Sequence, residues 1–270
     1  MSVVQIQDLS YTYPGVEGVE ALRGISFEVR ENEFVSVIGP SGCGKSTLLR
    51  LVADLLPLTS GEILIDGAPT AIARRRRDIG FVFQEPALMP WRTASRNVRL
   101  PLEILGRGRN PIGTRQDRST RASAGSQVVV QSLLELVGLQ DFGGKRPDQL
   151  SGGMRQRVSI ARALTYEPEL LLMDEPFGAL DQITRDEMNQ ELLKVWEQKQ
   201  STVLFVTHSI AEAIYLSDRV VILTPRPGRI ADIVDVPLER PRDAAVKRTP
   251  HFFETETQVL GALEGRLAHG

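Results

Sequence analysis

Cysteine and long apolar runs are the two features that this sequence has least of. Cys43 is the single cysteine among 270 residues, so no internal disulfide can form, which is typical of a protein kept in a reducing compartment. No apolar run approaches the ~18 residues that a membrane-spanning helix needs. The first ten residues lack the basic start and apolar stretch of a secretory signal. These absences predict a soluble, intracellular chain.

Aromatic residues are also scarce, at 6%, and this bears on a strongly basic segment. Residues 74–121 hold twelve arginines and four acidic residues, although the whole chain has a net charge of −2. Such a segment could meet nucleic acid or an anionic lipid surface. Aromatic side chains do not interleave with the arginines as single-strand binding would favour. We therefore interpret the segment as a solvated loop and expect no nucleic-acid partner.

Short apolar runs alternate with helical patterns over most of the chain. Helical patterns at 184–198 and 210–216 separate several of these runs. Strands that alternate with helices predict an α/β fold around a mainly parallel, buried sheet. The runs that we interpret as buried strands are 34–38, 79–83, 169–175, 202–208 and 219–224.

Three regions depart from this alternation. The first thirty residues contain two half-buried strand patterns, which predict a small antiparallel sheet against the core. Residues 106–126 are polar and rich in Gly and Ser, which predicts an exposed loop inside a mainly helical insertion at about 90–165. The tail has a helical pattern at 253–267. We expect one domain at 1–236 that carries the insertion, and a short extension at 237–270.

A phosphate-binding motif stands between a predicted strand and a predicted helix. The segment GPSGCGKST fits G-x-x-x-x-G-K-[ST] in the context that marks a P-loop. Its glycines let the backbone turn N–H groups toward phosphate oxygens, and the following helix adds its positive end. Lys45 offers an ammonium to the outer phosphates, and Ser46 can ligate Mg²⁺. The residues expected at the nucleotide are Gly39, Pro40, Ser41, Gly42, Cys43, Gly44, Lys45, Ser46 and Thr47.

Two acids and a histidine follow apolar strand patterns. Asp174 and Glu175 end one strand, where ligands meet open α/β sheets. Asp174 suits Mg²⁺ and Glu175 suits a general base, although an acid pair can simply cap a strand. His208 ends another strand, a position that is by itself more often structural than catalytic. We interpret Cys43 as a small filler rather than a redox sensor, and expect its alkylation to block nucleotide binding.

The segment LSGGMRQR opens a helix without any catalytic group. Ser151, Gly152 and Gly153 precede a helical pattern, and the free N–H groups and dipole of such a helix start favour an anion. Taken alone, the same residues would form an ordinary helix cap. Whether this helix start binds an anion or is an ordinary cap can be decided only from the other motifs of the chain.

Together these segments resemble the ABC-type ATPases over about 235 of the 270 residues. GPSGCGKST resembles the Walker A loop, FVFQEP the Q-loop, LSGGMRQR the signature sequence and LLLMDE the Walker B strand. GALD resembles the D-loop, and VTHS the switch-histidine segment. Met154 stands where Gln is commoner, and Gly178 stands where Ser is frequent; neither departure removes a group that contacts phosphate. The resemblance implies a RecA-like P-loop NTPase core with a small N-terminal antiparallel β subdomain and an inserted α-helical subdomain.

The resemblance also implies a site shared by two chains and occupied by ATP and Mg²⁺. In each half, Tyr13 stacks on adenine, Gln84 contacts Mg²⁺ and the attacking water, and His208 holds the γ-phosphate. Glu175 polarises the water, and the Mg²⁺ ligands are Ser46, Gln84 and Asp174. Ser151, Gly152 and Gly153 close the site at the other chain's P-loop, and Asp181 reaches across the dimer.

A finer resemblance concerns the transported solute. QEPALMPWRTASRNVRLPLE and LSDRVVILTPRPGRI are similar to importer ATPases for nitrate, sulfonate, taurine and bicarbonate, a group that includes relatives for thiamine-precursor pyrimidines. Trp91 in the first segment is equally explained as an ordinary anchoring aromatic. The resemblance implies a second ATPase subunit (identical or a close paralogue), two transmembrane permease subunits and an extracytoplasmic substrate-binding protein. It places the chain at the cytoplasmic face of the membrane.

Two other classes of function remain as alternatives. One is a soluble ABC ATPase that acts on nucleic acid or ribosomes through the arginine-rich segment. The chain has neither the paired ATPase units nor the coiled-coil or zinc insertions of such relatives. The other is a nucleotide-binding regulator without turnover, which the presence of Glu175 and His208 makes the weaker interpretation.

Overall fold

The computed structural model describes residues 2–15, 18–107 and 125–267. The strands are β1 (Ser2–Tyr13), β2 (Val19–Arg30), β3 (Phe34–Ile38), β4 (Ser60–Ile65), β5 (Ala68–Pro69), β6 (Ile79–Val82), β7 (Leu170–Asp174), β8 (Thr202–Val206), β9 (Arg219–Leu223) and β10 (Ile230–Asp235). The α-helices are α1 (Lys45–Val52), α2 (Thr70–Arg76), α3 (Ala94–Arg107), α4 (Gly125–Leu136), α5 (Gly152–Leu164), α6 (Gln182–Lys199), α7 (Ile210–Leu216) and α8 (Pro250–Leu267). Short 3₁₀ helices lie at Gln140–Phe142, Pro147–Gln149 and Ala244–Arg248.

A six-stranded sheet forms the centre, in the order β10-β9-β3-β8-β7-β6. Five of these strands run parallel to one another: β9, β3, β8, β7 and β6. β10 is the antiparallel edge strand. β3, β7 and β8 are buried along their whole length, because helices cover both faces of a parallel sheet. The five predicted parallel strands are confirmed. β10 escaped prediction because it lies at the edge and alternates polar with apolar residues.

A second, four-stranded antiparallel sheet has the order β2-β1-β4-β5. The two strands predicted in the first thirty residues pair here, with Ile6 opposite Phe27. Ile6 and Ile25 share an apolar cluster with Leu48 of α1 and Leu204 of the central sheet. The small sheet therefore lies against the core across α1. It places Tyr13 beside the start of that helix.

α3, α4 and α5 pack on one another and cover β6 through α5. They occupy most of the interval in which the helical insertion was expected. The predicted exposed loop at 106–126 was wrong at its two ends, because residues 106–107 continue α3 and residues 125–126 begin α4. Residues 108–124 lie outside the described residues.

The tail is attached to the core by a buried cation. Arg242 donates hydrogen bonds to the carbonyls of Ile214, Tyr215 and Ser217 at the end of α7. Burial lowers the pKa of Arg242 to about 10. α8 then packs on α7, β9 and β10, and it begins at Pro250, three residues before the predicted start. None of the helices within the described residues is long and apolar enough to cross a membrane.

Candidate active site

The P-loop, residues 39–47, connects β3 to α1. Gly42 and Gly44 have φ angles of 76° and 107°, which residues with a side chain rarely adopt. A Cβ on Gly44 would lie 2.6 Å from Leu22 Cδ2 and 2.9 Å from the backbone oxygen of Ala21, so β2 also favours glycine here. The side chain of Lys45 turns back over the loop, and its Nζ donates to the carbonyls of Gly39 at 2.8 Å and Pro40 at 3.1 Å. A phosphate bound at the loop can replace these carbonyls as the partner of the ammonium.

A cavity of about 360 Å³ opens at the P-loop. We call it the P-loop cavity. It is lined by Tyr13, Val19, Ala21, Ser41, Gly42, Gly44, Lys45, Ser46, Thr47, Gln84, Glu175 and Arg226. The fold thus gathers the predicted adenine contact, the P-loop, the glutamine and the predicted base around one space.

Tyr13 forms an aromatic end of this cavity together with Val19 and Ala21. Its hydroxyl shares a hydrogen bond with Thr47 Oγ1 at 2.9 Å, which ties the end of β1 to the P-loop. Its ring meets Tyr11 edge-on, with the centroids 5.0 Å apart. An apolar wall with a tyrosine ring is suited to a nucleobase.

Ser46 and Asp174 meet below the P-loop. Ser46 Oγ donates to Asp174 Oδ1 at 2.7 Å. Asp174 is 5% exposed, and burial raises the pKa of its carboxyl, against which the hydrogen bond from Ser46 acts. A buried carboxylate in this setting favours a nearby cation.

Ser46, Asp174 and Gln84 offer hydroxyl, carboxylate and amide oxygens, which are the ligand atoms that Mg²⁺ prefers. Gln84 follows β6 and lines the P-loop cavity. Within the described part of the chain, no group of three or more His, Cys, Asp or Glu residues could hold a metal ion. The donor set therefore fits an Mg²⁺ ion that takes its remaining ligands from water and nucleotide phosphates.

Glu175 and His208 follow adjacent parallel strands and meet at the same sheet edge. His208 Nδ1 lies 3.1 Å from Glu175 Oε2. The backbone of Glu175 has a φ of 42°, a conformation that is strained for a residue with a side chain. Its N–H donates to Val206 O at 2.9 Å, so the β7–β8 pairing holds it in place. Glu175 lines the P-loop cavity.

Ser151, Gly152, Gly153 and Asp181 do not line the P-loop cavity of the same chain. Ser151 caps α5 by accepting the Met154 N–H at 3.2 Å. Asp181 caps α6 by accepting the Thr184 N–H at 3.0 Å, and this bond lowers the pKa of its carboxyl. The structure therefore brings together the P-loop, Gln84 and Glu175 but leaves the signature segment and Asp181 apart from them.

Cys43 does not line the P-loop cavity. Its side chain is 1% exposed and belongs to the apolar cluster under the small sheet. Burial also raises the pKa of the thiol. These facts agree with the interpretation as a filler, and alkylation requires the loop to open first.

Sequence reasoning missed three residues that line the cavity, Val19, Ala21 and Arg226, and Arg226 is the charged one among them. It lies in PRPGRI, which served only for the resemblance to importers. Its Nε donates to Gly42 O at 3.2 Å. The signal was a basic side chain in a Pro/Gly turn directly after a predicted parallel strand, at the sheet edge that carries the P-loop.

Comparisons with known proteins agree with this geometry. The ABC transporter family matches residues 22–178. Nitrate import ATP-binding protein NrtD of Synechococcus elongatus is 44% identical over 261 residues, which are 96% of this chain and 90% of that protein. Taurine import ATP-binding protein TauB of Rhizobium johnstonii is 43% identical over 250 residues, 91% of this chain and 89% of that protein.

Solved structures place the fold in the same class. A dimeric ATP-binding cassette in a post-hydrolysis state, bound to ADP and Pi, aligns with a TM-score of 0.71 and 36% identity. That alignment covers 87% of this chain and 100% of the other. The α/β fold with its helical insertion is thereby confirmed. The chain belongs to the ABC transporter family, as an ATP-binding cassette that hydrolyses ATP.

Proposed function

We propose that this chain is the ATP-hydrolysing subunit of an importer that takes up a small anion such as nitrate, sulfonate, taurine or bicarbonate. One observation carries the proposal. Four relatives named as import or transport ATP-binding proteins for nitrate, taurine, bicarbonate and aliphatic sulfonates are 40–44% identical over more than nine tenths of this chain. Identity of this extent covers the surfaces outside the P-loop as well as the loop itself.

The proposed chemistry begins with ATP in the P-loop cavity. Tyr13 stacks on the adenine, the P-loop N–H groups and Lys45 bind the phosphates, and Glu175 accepts a proton from the attacking water. His208 keeps Glu175 oriented through the 3.1 Å contact, and we assign to it the contact with the γ-phosphate that the resemblance to ABC-type ATPases implies. When bound at Ser46, Asp174 and Gln84, Mg²⁺ would neutralise charge on the phosphate oxygens.

The second half of the site comes from another chain. α5 is a helix of 13 residues that opens with Gly152 and Gly153, so its positive end is accessible to an anion. In this chain the residues at the helix start do not line the P-loop cavity. We therefore place Ser151, Gly152, Gly153 and Asp181 at the P-loop of a partner ATPase, in a head-to-tail dimer. Two of the solved relatives are described as dimeric.

The segment after Gln84 is proposed to contact the permease subunits. Trp91 lies in this segment and is 68% exposed, and Phe83 directly before Gln84 is also exposed; aromatic side chains are enriched in protein–protein interfaces. The chain would lie at the cytoplasmic face of the membrane, bound to two permeases that receive solute from an external binding protein. We propose residues 1–236 as the ATPase domain, the helices at about 90–165 as its inserted subdomain, and 237–270 as an extension.

A pyrimidine-type vitamin precursor is the alternative cargo, because the importer group includes such relatives. A nucleic-acid target is less well supported by the structure. Arg74 pairs with Asp54 and Arg92 pairs with Glu103, so part of the basic segment 74–121 is neutralised locally. Residues 108–124 of that segment lie outside the described residues.

The test is to reconstitute the chain with the permease and substrate-binding proteins whose genes neighbour its own gene. Phosphate release is measured in proteoliposomes for each anion and for a pyrimidine precursor, with Glu175→Gln as the inactive control. Stimulation by one anion supports the proposal, and stimulation by the pyrimidine alone supports the alternative cargo. DNA binding by the purified chain with a steep salt dependence, and no stimulation by any solute, would overturn the importer proposal.

A further inference from the structure

Arg226 places a second cationic side chain at the P-loop cavity. Its Nε donates to Gly42 O at 3.2 Å, and one terminal nitrogen lies 3.3 Å from the position that a Cβ on Gly42 would take. Lys45, the other cation of the cavity, donates to Gly39 and Pro40 on the same loop. The two cations therefore flank one short stretch of backbone, residues 39–42.

The turn that carries Arg226 is held firmly against the P-loop. The Thr224 N–H donates to Arg229 O at 2.9 Å, and Thr224 Oγ1 accepts the Arg229 N–H at 3.0 Å, which closes the turn. The Gly228 N–H donates to Ala21 O, and Gly228 O accepts the Arg23 N–H, both at 2.9 Å. The turn that carries Arg226 is thus tied to β2 through Gly228, two residues after Arg226.

The guanidinium has more donors than this chain uses. A guanidinium offers five N–H donors in one plane and stays charged at all ordinary pH values. Among the described residues, the one hydrogen bond of Arg226 is to Gly42 O, and no carboxylate pairs with it. Arg226 lines the P-loop cavity, so its remaining donors are available where an ATP molecule would bring several negative charges.

We propose that Arg226 is a nucleotide-binding residue that contacts the phosphate chain and raises the affinity for ATP and ADP. This inference rests on the proposed nucleotide site at the P-loop. Arginine suits the role because its planar fork binds phosphate oxygens in pairs. The residue acts on nucleotide affinity and not on the attack of water, which is assigned to Glu175.

The experiment measures Kd for ATP and ADP on the full chain, at low and at high salt, by titration calorimetry. Arg226→Ala should raise both constants about fivefold or more at low salt, and the difference should shrink at high salt. Arg226→Lys keeps the charge and should lie between wild type and Arg226→Ala. Arg229→Ala is the matched control, since Arg229 is exposed in the same turn but does not line the cavity.

Steady-state kinetics separate binding from a general structural effect. Arg226→Ala should raise KM for ATP by a similar factor while kcat at saturating ATP stays within twofold of wild type. The inference is overturned if the Kd values change less than twofold, if Arg229→Ala has the same effect, or if the loss is equal at both salt concentrations. Lys45→Ala tests the site itself, because normal ATP binding by that variant would refute the proposed P-loop site rather than the role of Arg226.

Discussion

Replacement of Gly228 by alanine is the sharpest test of how the fold supports the P-loop. Gly228 lies in the turn between β9 and β10 and packs against the backbone of Cys43. A Cβ at this position would lie 2.2 Å from Cys43 O and 3.3 Å from Leu22 Cδ2. Real contacts of this kind are essentially never below 3.0 Å. The carbonyl of Cys43 or the turn must therefore move by about 0.8 Å.

That movement has a cost that can be estimated. Overpacking of a closely packed interior costs about 1–3 kcal/mol. Gly228 also donates one hydrogen bond to Ala21 O and accepts one from the Arg23 N–H. Each of these two bonds contributes about 1 kcal/mol net to stability. Partial loss of these bonds brings the expected decrease in the free energy of unfolding to about 2–4 kcal/mol. For a chain of this size the melting temperature should fall by roughly 4–16 °C.

The assay is thermal unfolding combined with ATP binding. Gly144→Ala is the matched control, because a Cβ on Gly144 would meet no atom within 4 Å. Gly228→Ala should melt at a lower temperature than this control and should bind ATP more weakly, since Cys43 belongs to the P-loop. Equal melting temperatures and equal ATP affinities of the two variants would refute the reasoning.

Three further predictions concern the site and a buried acid. Glu175→Gln removes the proposed base, so phosphate release should slow by about 10²–10⁴-fold while ATP still binds; near-normal turnover would exclude that role. Ser151→Arg should bind ATP without hydrolysing it, and mixing it with Lys45→Ala chains should restore turnover at one composite site; a rate per chain that does not change on dilution would contradict the shared site. Burial raises the pKa of Glu212 above its ordinary 4.5, so the stability that its neutral form contributes is lost as pH rises through the folded-state pKa. The urea midpoint should therefore fall with rising pH in wild type but less in Glu212→Gln, with the exposed Glu239→Gln as control; parallel curves for all three proteins would contradict the assignment.

Most of the central sheet could be predicted from the sequence because its strands are buried on both faces. Leu170–Asp174 and Thr202–Val206 are continuous apolar runs, and such runs have few other stable arrangements. β4 and β10 could not be found in this way. β10 is an edge strand, and the first three residues of the interior strand β4 are exposed, so neither strand is a continuous apolar run.

The P-loop was predictable because its chemistry is local. Gly42, Gly44, Lys45 and Ser46 act within a few residues of one another, and the positive φ angles at the two glycines are a property of the backbone itself. Motif spacing therefore predicts this part of the site without any knowledge of the fold.

The partners of these residues depend on the order of the strands. Glu175 and His208 are 33 residues apart in sequence, and their 3.1 Å contact exists because β7 and β8 are neighbours in the sheet. Arg226 reaches Gly42 across 184 residues because β9 lies beside β3. The sequence alone thus determined the phosphate-binding loop and the buried strands, since both depend on residues close together in the chain. Tertiary structure alone decided which distant side chains meet at the loop, because that depends on how the strands pair.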